Sequence, residues 1–360
     1  MSRTLGVLLL GYGLAGRVFH APLIGACEGL EIRAVVTGNA DRQAQVRTDL
    51  PSARIHESST SALNDISDID LVVVANANQA HVPDAMRAIA AGQHVVVDKP
   101  LAGSCAEALH VASAARTAGV QLHTFQNRRW DSDFLALRSV AASGQLGTLH
   151  RLESRFERLK VEPKGNWRES AAPEQLGGVL LDFGAHLVDQ ALTLLGPVQA
   201  VDAYARSIRR ADDADDDMQI LLTHTSGAVS LLVGSQVSAF STPRFLLLGS
   251  RGGVRIAEAD IQEDQLRAGQ SPCHADWGLQ TTPAQLAIGL PDGGVRQSSF
   301  AMPAGAWQEF YLGVRESITQ GSPPPVPIDD VIANLRVLDA ARASVTEQAR
   351  VQISPPVGHG

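Results

Sequence analysis

Short apolar runs, rich in β-branched residues, recur through the first 120 positions of the chain. They are residues 6–10, 30–37, 70–75 and 94–98. Runs of this length and composition are typical of strands buried on both faces of a parallel sheet. Ala-rich stretches with helical character separate the runs, and Gly92 ends one of these stretches, residues 82–91. The alternation of strands and helices predicts βαβ units.

The pattern changes after about residue 148, where polar and apolar positions alternate. Strands are predicted over residues 149–159, 198–206, 218–223, 228–236, 245–248 and 253–257. The turn Thr225-Ser226-Gly227 joins two of them in a predicted hairpin. Helices are predicted over residues 179–195 and 329–349, whereas residues 262–303 are predicted to be irregular. Consecutive strands with short turns favour a mainly antiparallel sheet.

Composition excludes several classes of partner. The chain has 360 residues, a formal net charge of −8 and no Lys/Arg-rich run, so we expect neither nucleic acid nor an anionic membrane as a partner. No apolar stretch is long enough to cross a bilayer, and residues 1–10 are predicted to contain a strand and not a signal peptide, because no small-residue cleavage site follows them. The three cysteines lack metal-ligand or disulfide spacing, which favours the cytoplasm. The aspartates at positions 212, 213 and 215–217 are predicted to form a solvated loop; a calcium site is the alternative, but the loop lacks the ligand and Gly spacing of an EF-hand.

A glycine-rich segment follows the first predicted strand and opens a helix. It is Gly11-Tyr12-Gly13-Leu14-Ala15-Gly16. In this context Gly11 permits a tight turn, Gly13 allows the backbone to approach a pyrophosphate, and Gly16 allows close packing of helix and strand. The six residues therefore predict a dinucleotide site. We expect an α/β Rossmann domain with a parallel sheet over residues 1–123, an α+β substrate and oligomerisation domain with an open-faced, mainly antiparallel sheet over 124–328, and a C-terminal helix and tail over 329–360.

The second predicted strand ends without the carboxylate that usually holds the adenosine ribose. Thr37 ends that strand, and Gly38 and Asn39 follow it. Arg42 comes shortly afterwards and can pair with a 2′-phosphate of the cofactor. No carboxylate at the end of this strand would repel that phosphate. We therefore expect Thr37 and Arg42 to contact the cofactor, with NADP preferred and NAD possible.

Two further clusters carry candidate chemistry. Lys99 follows a parallel strand at the sheet edge where ligands bind, although a lysine at a strand end is often only a surface residue. Asp182, His186 and Asp189 have helical spacing, so they lie near one face of the predicted helix. A histidine beside a carboxylate is either a general base or a histidine capped in the core. A zinc site of the HExxH type is not expected, because the third ligand and the intervening Glu are absent.

These motifs together resemble the Gfo/Idh/MocA oxidoreductases. The resemblance rests on the segment from Gly11 to Gly16, on Asp98-Lys99-Pro100, on Asp182-x-Gly184-x-His186, and on a looser Asn-x-x-His segment at positions 78–81. Asp98 departs from the family's usual Glu. Residues 11–22 and 127–134 are similar to the subgroup that contains NADP-dependent scyllo-inositol dehydrogenases.

The resemblance implies hydride transfer between a nicotinamide cofactor and a hydroxyl or ketone of a cyclitol or sugar. His186 would take the hydroxyl proton, Lys99 would stabilise the alkoxide, and Asp182 would orient both. It also implies a homodimer or a higher homo-oligomer. The cofactor would further contact Asn76, Asn78 and His81. Polar residues that follow the last strand of the first domain, and Arg168, offer donors and acceptors to a polyol, cyclitol or sugar, although a polar loop is often only solvated; they are Asn127, Arg128, Trp130, Asp131 and Arg168. For His20, packing and a position beside the nicotinamide are both open.

Two alternatives remain at this level. Some relatives bind the dinucleotide as non-catalytic sensors, against which the presence of Lys99, Asp182 and His186 argues. Others reduce aromatic substrates, in the manner of biliverdin reductase or dihydrodiol dehydrogenase. The polar segment at residues 127–129 and an aromatic content of only 4% favour sugars or cyclitols.

Overall fold

The computed structural model describes residues 3–162, 169, 176–240 and 242–353. The chain divides into two compact units. The first combines the chain up to Trp130 with Ile261–Gly278 and Ala306–Ile332. The second combines Asp131–Asp260, Leu279–Gly305 and the chain from Ala333 onwards.

The strands of the described chain are short, and ten of them overlap a predicted strand, whereas those near residues 55, 123, 286, 297 and 351 match none. In chain order they are β1 (Leu5–Leu10), β2 (Leu30–Val36), β3 (Arg54–His56), β4 (Leu71–Val74), β5 (His94–Asp98), β6 (Leu122–Phe125), β7 (Leu149–Glu157), β8 (Val198–Arg206), β9 (Asp217–His224), β10 (Val229–Ser235), β11 (Phe245–Gly249), β12 (Gly252–Ile256), β13 (Ala284–Gly289), β14 (Val295–Phe300) and β15 (Val351–Gln352).

The α-helices of the described chain are α1 (Ala21–Gly25), α2 (Ala40–Asp49), α3 (Ser59–Leu63), α4 (Asn78–Ala90), α5 (Cys105–Ala118), α6 (Ser132–Ala142), α7 (Val179–Asp182), α8 (Gly184–Leu195), α9 (Gln262–Arg267), α10 (Gln308–Gln320) and α11 (Ile328–Glu347). A π-helix spans Leu14–His20 and a 3₁₀ helix spans Asn127–Trp130. Several helix starts are capped by side chains. The side chains of Asn39 and Ser104, for example, accept the backbone N–H of Arg42 and Glu107.

The described part of the first unit contains a six-stranded parallel sheet with the order β3-β2-β1-β4-β5-β6. Every residue of β1 and β4 is buried, because both faces of the sheet are covered. This strand order is that of the Rossmann fold, so the predicted fold of the N-terminal region is confirmed. The carboxyl ends of β1, β4 and β5 meet at one edge of the sheet and position the glycine-rich loop and Lys99 there.

The second unit contains, among the described residues, a nine-stranded sheet with the order β14-β13-β12-β11-β7-β10-β9-β8-β15. Only β7 and β10 pair in parallel in this sheet, and the other described pairs are antiparallel. Alternate residues of β9 (Met218, Ile220 and Leu222) are fully buried, so one face packs on the core. The predicted mainly antiparallel sheet is confirmed. The hairpin of β9 and β10 turns at Gly227, whose φ is +86°.

The structure corrects two predicted elements. Residues 262–303 were predicted to be irregular, which is wrong, because they contain α9, β13 and β14. β14 is almost wholly exposed and polar, so it has no apolar alternation by which a sequence pattern could identify it. The helix predicted over residues 179–195 is divided at Phe183 into α7 and α8.

The aspartate run before β9 was predicted to be a solvated loop, which is wrong for Asp216. Its side chain is buried and accepts the backbone N–H groups of Ile208 and Arg209 at 2.8 and 3.1 Å. The guanidinium Nε of Arg209 donates to the same carboxylate at 2.8 Å. The run therefore contributes to the packing of the second unit.

No helix of the described chain combines the length and the apolar character that crossing a membrane requires.

Candidate functional site

The glycine-rich loop between β1 and the π-helix has the backbone that the fingerprint requires. Gly11 has a φ of +105°, which L side chains rarely adopt, and a Cβ on Gly16 would lie only 2.0 Å from the carbonyl oxygen of Gly11. The nearest atom to a Cβ on Gly13 is Nη1 of Arg42, at 3.7 Å. Gly11 and Gly16 are therefore needed for the turn and for close packing, while Gly13 leaves open backbone for a ligand.

The other residues of the loop are held from within the first unit. Tyr12 is buried, and its hydroxyl donates to Asp49 at 3.1 Å, while Arg17 contacts the same carboxylate at 2.7 Å. Burial, followed by the charge of Asp49, raises the pKa of Tyr12, so its hydroxyl stays protonated as a donor. Ala15 is buried, whereas Leu14 is partly exposed beside the loop. The Tyr12 side chain thus fastens the loop to α2.

The end of β2 has the donor-rich character that the sequence predicts. Thr37 is buried, and its backbone N–H donates to His56 at 2.9 Å. Asn39 caps α2 by accepting the backbone N–H of Arg42 at 2.9 Å, and the Arg42 guanidinium extends toward Gly13. Because α2 begins immediately after this strand, Arg42 is held at the carboxyl edge of the sheet beside the glycine-rich loop.

The segment after β4 is fixed by two polar contacts. Asn76 donates through Nδ2 to Asp84 at 2.7 Å, and Asp84 also accepts Nη1 of Arg87 at 2.7 Å. Asn78 is the first residue of α4. His81 is buried, and its Nδ1 donates to the carbonyl oxygen of Pro100 at 2.7 Å. Burial lowers the pKa of His81, so the ring is neutral at pH 7.

Lys99 comes directly after β5 and is half-buried. Its backbone N–H donates to the Asp98 carboxylate at 2.8 Å, and the Lys99–Pro100 peptide bond is cis. His81 holds the carbonyl of Pro100 on the other side. The main chain of Lys99 is therefore fixed from both directions at the sheet edge.

The residues of the predicted substrate segment that belong to the first unit are tied to other parts of that unit. Asn127 is buried, and Arg128 pairs with Glu263 at 2.7 Å while lying 5.6 Å from the ring centre of Trp307. The carbonyl of Trp130 accepts donors from the Gln262 side chain and the Ala306 backbone.

The remaining predicted substrate residues are Asp131 and Arg168. Asp131 belongs to the second unit and is fully buried at the start of α6. Arg168 lies outside the residues that the structure describes.

In the second unit, Asp182 is the last residue of α7 and His186 lies in the first turn of α8. Asp182 is half-buried, while His186 and Asp189 are buried. Two contacts from α11 hold this region. Nδ2 of Asn334 donates to the carbonyl of Ala185 at 2.8 Å, and a Cβ on Gly184 would lie 3.2 Å from Leu338. The two residues that precede His186 in α8 are thus held against α11.

Asp215 supports the start of α7. Its carboxylate accepts the backbone N–H of Leu180 at 2.6 Å, and its carbonyl accepts that of Val179 at 2.9 Å. Gly178 has a φ of +88°, and a Cβ there would lie 2.1 Å from Oδ1 of Asp215. Burial raises the pKa of Asp215 to about 6, although the N–H donors of Leu180 and Val179 and the backbone of Asp215 itself act in the opposite direction.

One polar contact of the first unit lies beyond what the sequence indicates. His20 is fully buried, and its Nδ1 lies 2.5 Å from the hydroxyl of Tyr311. The two residues are 291 positions apart, so no local motif joins them. Within the described chain, no group of three His, Cys, Asp or Glu side chains has the arrangement of a metal site.

Family models match both parts of the chain. The model described as the oxidoreductase family, NAD-binding Rossmann fold, matches residues 5–126, and that of the GFO/IDH/MocA C-terminal domain matches residues 134–255. The chain belongs to the GFO/IDH/MocA oxidoreductases. Its first unit therefore carries an NAD-binding Rossmann fold, and the resemblance inferred from the sequence motifs is confirmed.

Relatives within the GFO/IDH/MocA family cover nearly the whole chain. The oxidoreductase YdgJ of Escherichia coli is 31% identical over 97% of this chain and 99% of its own length. The NADP(+) scyllo-inositol 2-dehydrogenase IolW of Bacillus subtilis is 31% identical over 97% of this chain and 96% of its own. The solved structure of the Bacillus subtilis oxidoreductase YvaA superposes with a TM-score of 0.92 at 29% identity, covering 98% of this chain and 99% of the other.

Proposed function

We propose that this oxidoreductase is an NADP(H)-preferring dehydrogenase that acts on a hydroxyl-bearing carbon of a cyclitol or sugar. The observation that carries the proposal is Lys99, whose backbone is fixed by Asp98 and by the His81–Pro100 contact at the edge of the parallel sheet where ligands bind. The name of IolW, a scyllo-inositol 2-dehydrogenase that uses NADP(+), supports both the substrate class and the cofactor.

The glycine-rich loop fits a dinucleotide. Gly13 leaves its backbone open, and the π-helix that follows begins at Leu14, so its free N–H groups are available to a pyrophosphate. We infer that Tyr12, Leu14, Ala15, Thr37, Asn76, Asn78 and His81 frame the same site. Several of these act through the backbone, since the Tyr12 and His81 side chains bond to other parts of the first unit.

The preference for NADP rests on Arg42. Its guanidinium lies beside Gly13, and α2, which carries it, is capped by the neutral side chain of Asn39. A guanidinium is well suited to a phosphate because it offers several donors in a plane. A carboxylate at the end of β2 would repel a 2′-phosphate, and Thr37, Gly38 and Asn39 provide none.

The proposed chemistry divides between the cofactor and three side chains. A bound nicotinamide supplies the acceptor or donor of the hydride. His186 takes the proton from the substrate hydroxyl, and the ammonium of Lys99 stabilises the charge that develops on the same oxygen. Asp182 orients the imidazole and the ammonium. In the opposite direction the same groups return a proton to a ketone oxygen.

We further propose that the chain acts as a homodimer in the cytoplasm. One face of the nine-stranded sheet exposes Tyr204 and Leu221 on the adjacent strands β8 and β9, and carries Arg151, Glu153 and Arg155 on β7. A surface that mixes exposed apolar residues with both signs of charge suits a two-fold contact between identical copies. Three free cysteines are consistent with a reducing compartment.

The test is oxidation of a panel of cyclitols, polyols and sugars with NADP, followed by fluorescence, together with Lys99→Met and His186→Ala. Each substitution should lower kcat by about two or more orders of magnitude while NADPH still binds. His110→Ala, which removes an exposed histidine of α5, should leave kcat unchanged. Binding of NADPH without turnover of any compound would contradict an enzyme and favour a sensor. Full turnover in Lys99→Met would contradict the assigned chemistry.

A further inference from the structure

A buried imidazole connects two distant parts of the first unit. His20 ends the π-helix that follows the glycine-rich loop, and Tyr311 lies in the first turn of α10. Nδ1 of His20 is 2.5 Å from the Tyr311 hydroxyl, and Nε2 is 3.8 Å from Oδ2 of Asp98. The second distance is longer than a hydrogen bond, and Nε2 of His20 has no hydrogen-bond partner in the described structure. Both His20 and Tyr311 are fully buried.

The direction of these contacts follows from the chemistry of the three groups. Burial, followed by the charges of Asp98 and Cys27, raises the pKa of Tyr311 well above its ordinary value, so the phenol keeps its proton. A protonated hydroxyl at 2.5 Å donates to Nδ1, which leaves the ring proton of His20 on Nε2. Nε2, the nitrogen that carries this proton, lies 3.8 Å from Oδ2 of Asp98.

Asp98 is the link to Lys99. Burial alone would raise the pKa of Asp98, but the His20 imidazole, followed by Lys99 and His81, holds that pKa below its ordinary value. The carboxylate is therefore ionised at pH 7. Its Oδ1 accepts the backbone N–H of Lys99 at 2.8 Å, while Oδ2 faces His20.

The rings around His20 leave it little freedom. The Phe125 ring centre lies 4.3 Å from that of His20, and Tyr311 packs on Phe310 at 5.3 Å. Aromatic packing alone would hold the position of the ring, but it does not require a hydroxyl on Tyr311 or a nitrogen facing Asp98.

We propose that Tyr311 and His20 are positioning residues for the reaction, because the chain Tyr311–His20–Asp98 fixes the carboxylate that holds the backbone of Lys99. The proposal rests on the proposed function in one respect, namely that the ammonium of Lys99 touches the substrate. The contacts from Tyr311 through His20 also give a role to Asp98, which stands here in place of the family's usual glutamate. The shorter side chain of Asp98 accepts the backbone N–H of Lys99 through Oδ1, and His20 orients its other oxygen, Oδ2.

The first test requires no substrate. Histidine ring ¹⁵N shifts of the full chain, with and without NADP, report which nitrogen of His20 carries the proton. The expected result is a protonated Nε2 and an Nδ1 that accepts a hydrogen bond, and Tyr311→Phe should shift the Nδ1 resonance. A protonated Nδ1, or no change in Tyr311→Phe, would overturn the proposal whether or not a substrate is known.

The second test separates positioning from packing with matched variants. Tyr311→Phe keeps the ring and removes the hydroxyl, and it should lower kcat about three- to tenfold while the affinity for NADPH changes less than about twofold. The control is Ser317→Ala on the same helix, which removes a buried hydroxyl that has no hydrogen-bond partner in the described structure. This control should leave kcat unchanged.

Two substitutions separate the roles of the two ring nitrogens of His20. Gln carries a nitrogen near the place of Nε2, so His20→Gln should retain most of kcat, whereas Asn reaches only the place of Nδ1 and His20→Asn should lower kcat at least about tenfold. In the His20→Asn background, Tyr311→Phe should have little further effect on kcat, because the link from Tyr311 through His20 to Asp98 is already broken. Independent, additive losses, or equal losses in the Gln and Asn variants, would overturn the proposal. Failure of every polyol with the wild-type chain would instead count against the proposed function alone.

Discussion

Arg42 illustrates how a single residue can set cofactor preference. Its backbone is fixed by the Asn39 cap, and its exposed side chain reaches the open side of Gly13. Arg42→Ala should weaken NADPH binding about tenfold or more, since a charge-assisted bond to the 2′-phosphate is lost, and should change NADH binding less than about twofold. Fluorescence titration with both nucleotides measures the two dissociation constants.

The control for that titration is Arg47→Ala, which removes a second exposed arginine from the same helix. It keeps the net charge of the two variants equal, so a general electrostatic effect would appear in both. Equal weakening of NADPH and NADH by Arg42→Ala would show that the guanidinium does not select the phosphate.

Residues that carry chemistry differ in how far a sequence reveals them. Gly11, Gly16 and Lys99 were identifiable because each sits at a fixed distance from a buried strand, and the structure finds the first two in the backbone geometry expected of them. The partners of Arg128 and His20 were not identifiable. Glu263 and Tyr311 lie 135 and 291 positions away, and tertiary packing alone joins them.

At the level of elements, α7 depends on a carboxylate that is poorly suited to its surroundings at neutral pH. Asp215 has a pKa raised from 3.8 to about 6, so the folded chain binds this proton more tightly than the unfolded chain does. Stability therefore falls as the pH rises from about 4 to about 6, and the full penalty applies above that range. Asp215→Asn keeps an oxygen for the N–H of Leu180 and removes the charge.

We expect Asp215→Asn to raise the free energy of unfolding by about 3 kcal/mol at pH 8 and to have little stabilising effect at pH 4. Denaturant unfolding at the two pH values measures the difference. Asp212→Asn, at an exposed position of the same run, is the matched control and should change stability at neither pH. A gain of equal size at pH 4 would mean that the carboxylate's charge is not the cause.

The elements that the sequence predicted well are those with a buried face. β1, β4 and β5 are short, mainly apolar runs, and buried and exposed positions alternate along β9. The sequence pattern therefore predicts which of their faces are buried. α9 and β14 escaped prediction because α9 has six residues and β14 is exposed along almost its whole length. The division at Phe183 also has no sequence signal, since contacts with residues such as Leu338 and Asp215 shape that region.

For the whole molecule, the open face of the nine-stranded sheet predicts a dimer in solution. Leu221 is 40% exposed on this face, and a dimer through the face would bury it. The wild-type chain should therefore have a solution mass of twice 38.1 kDa by light scattering. Leu221→Arg should shift it toward the monomer, because a buried unpaired charge disfavours association. Leu109→Arg, at a leucine that is 47% exposed on α5 of the first unit, is the control and should remain dimeric. A monomeric wild type, or an unchanged mass for Leu221→Arg, would rule out this face as the contact.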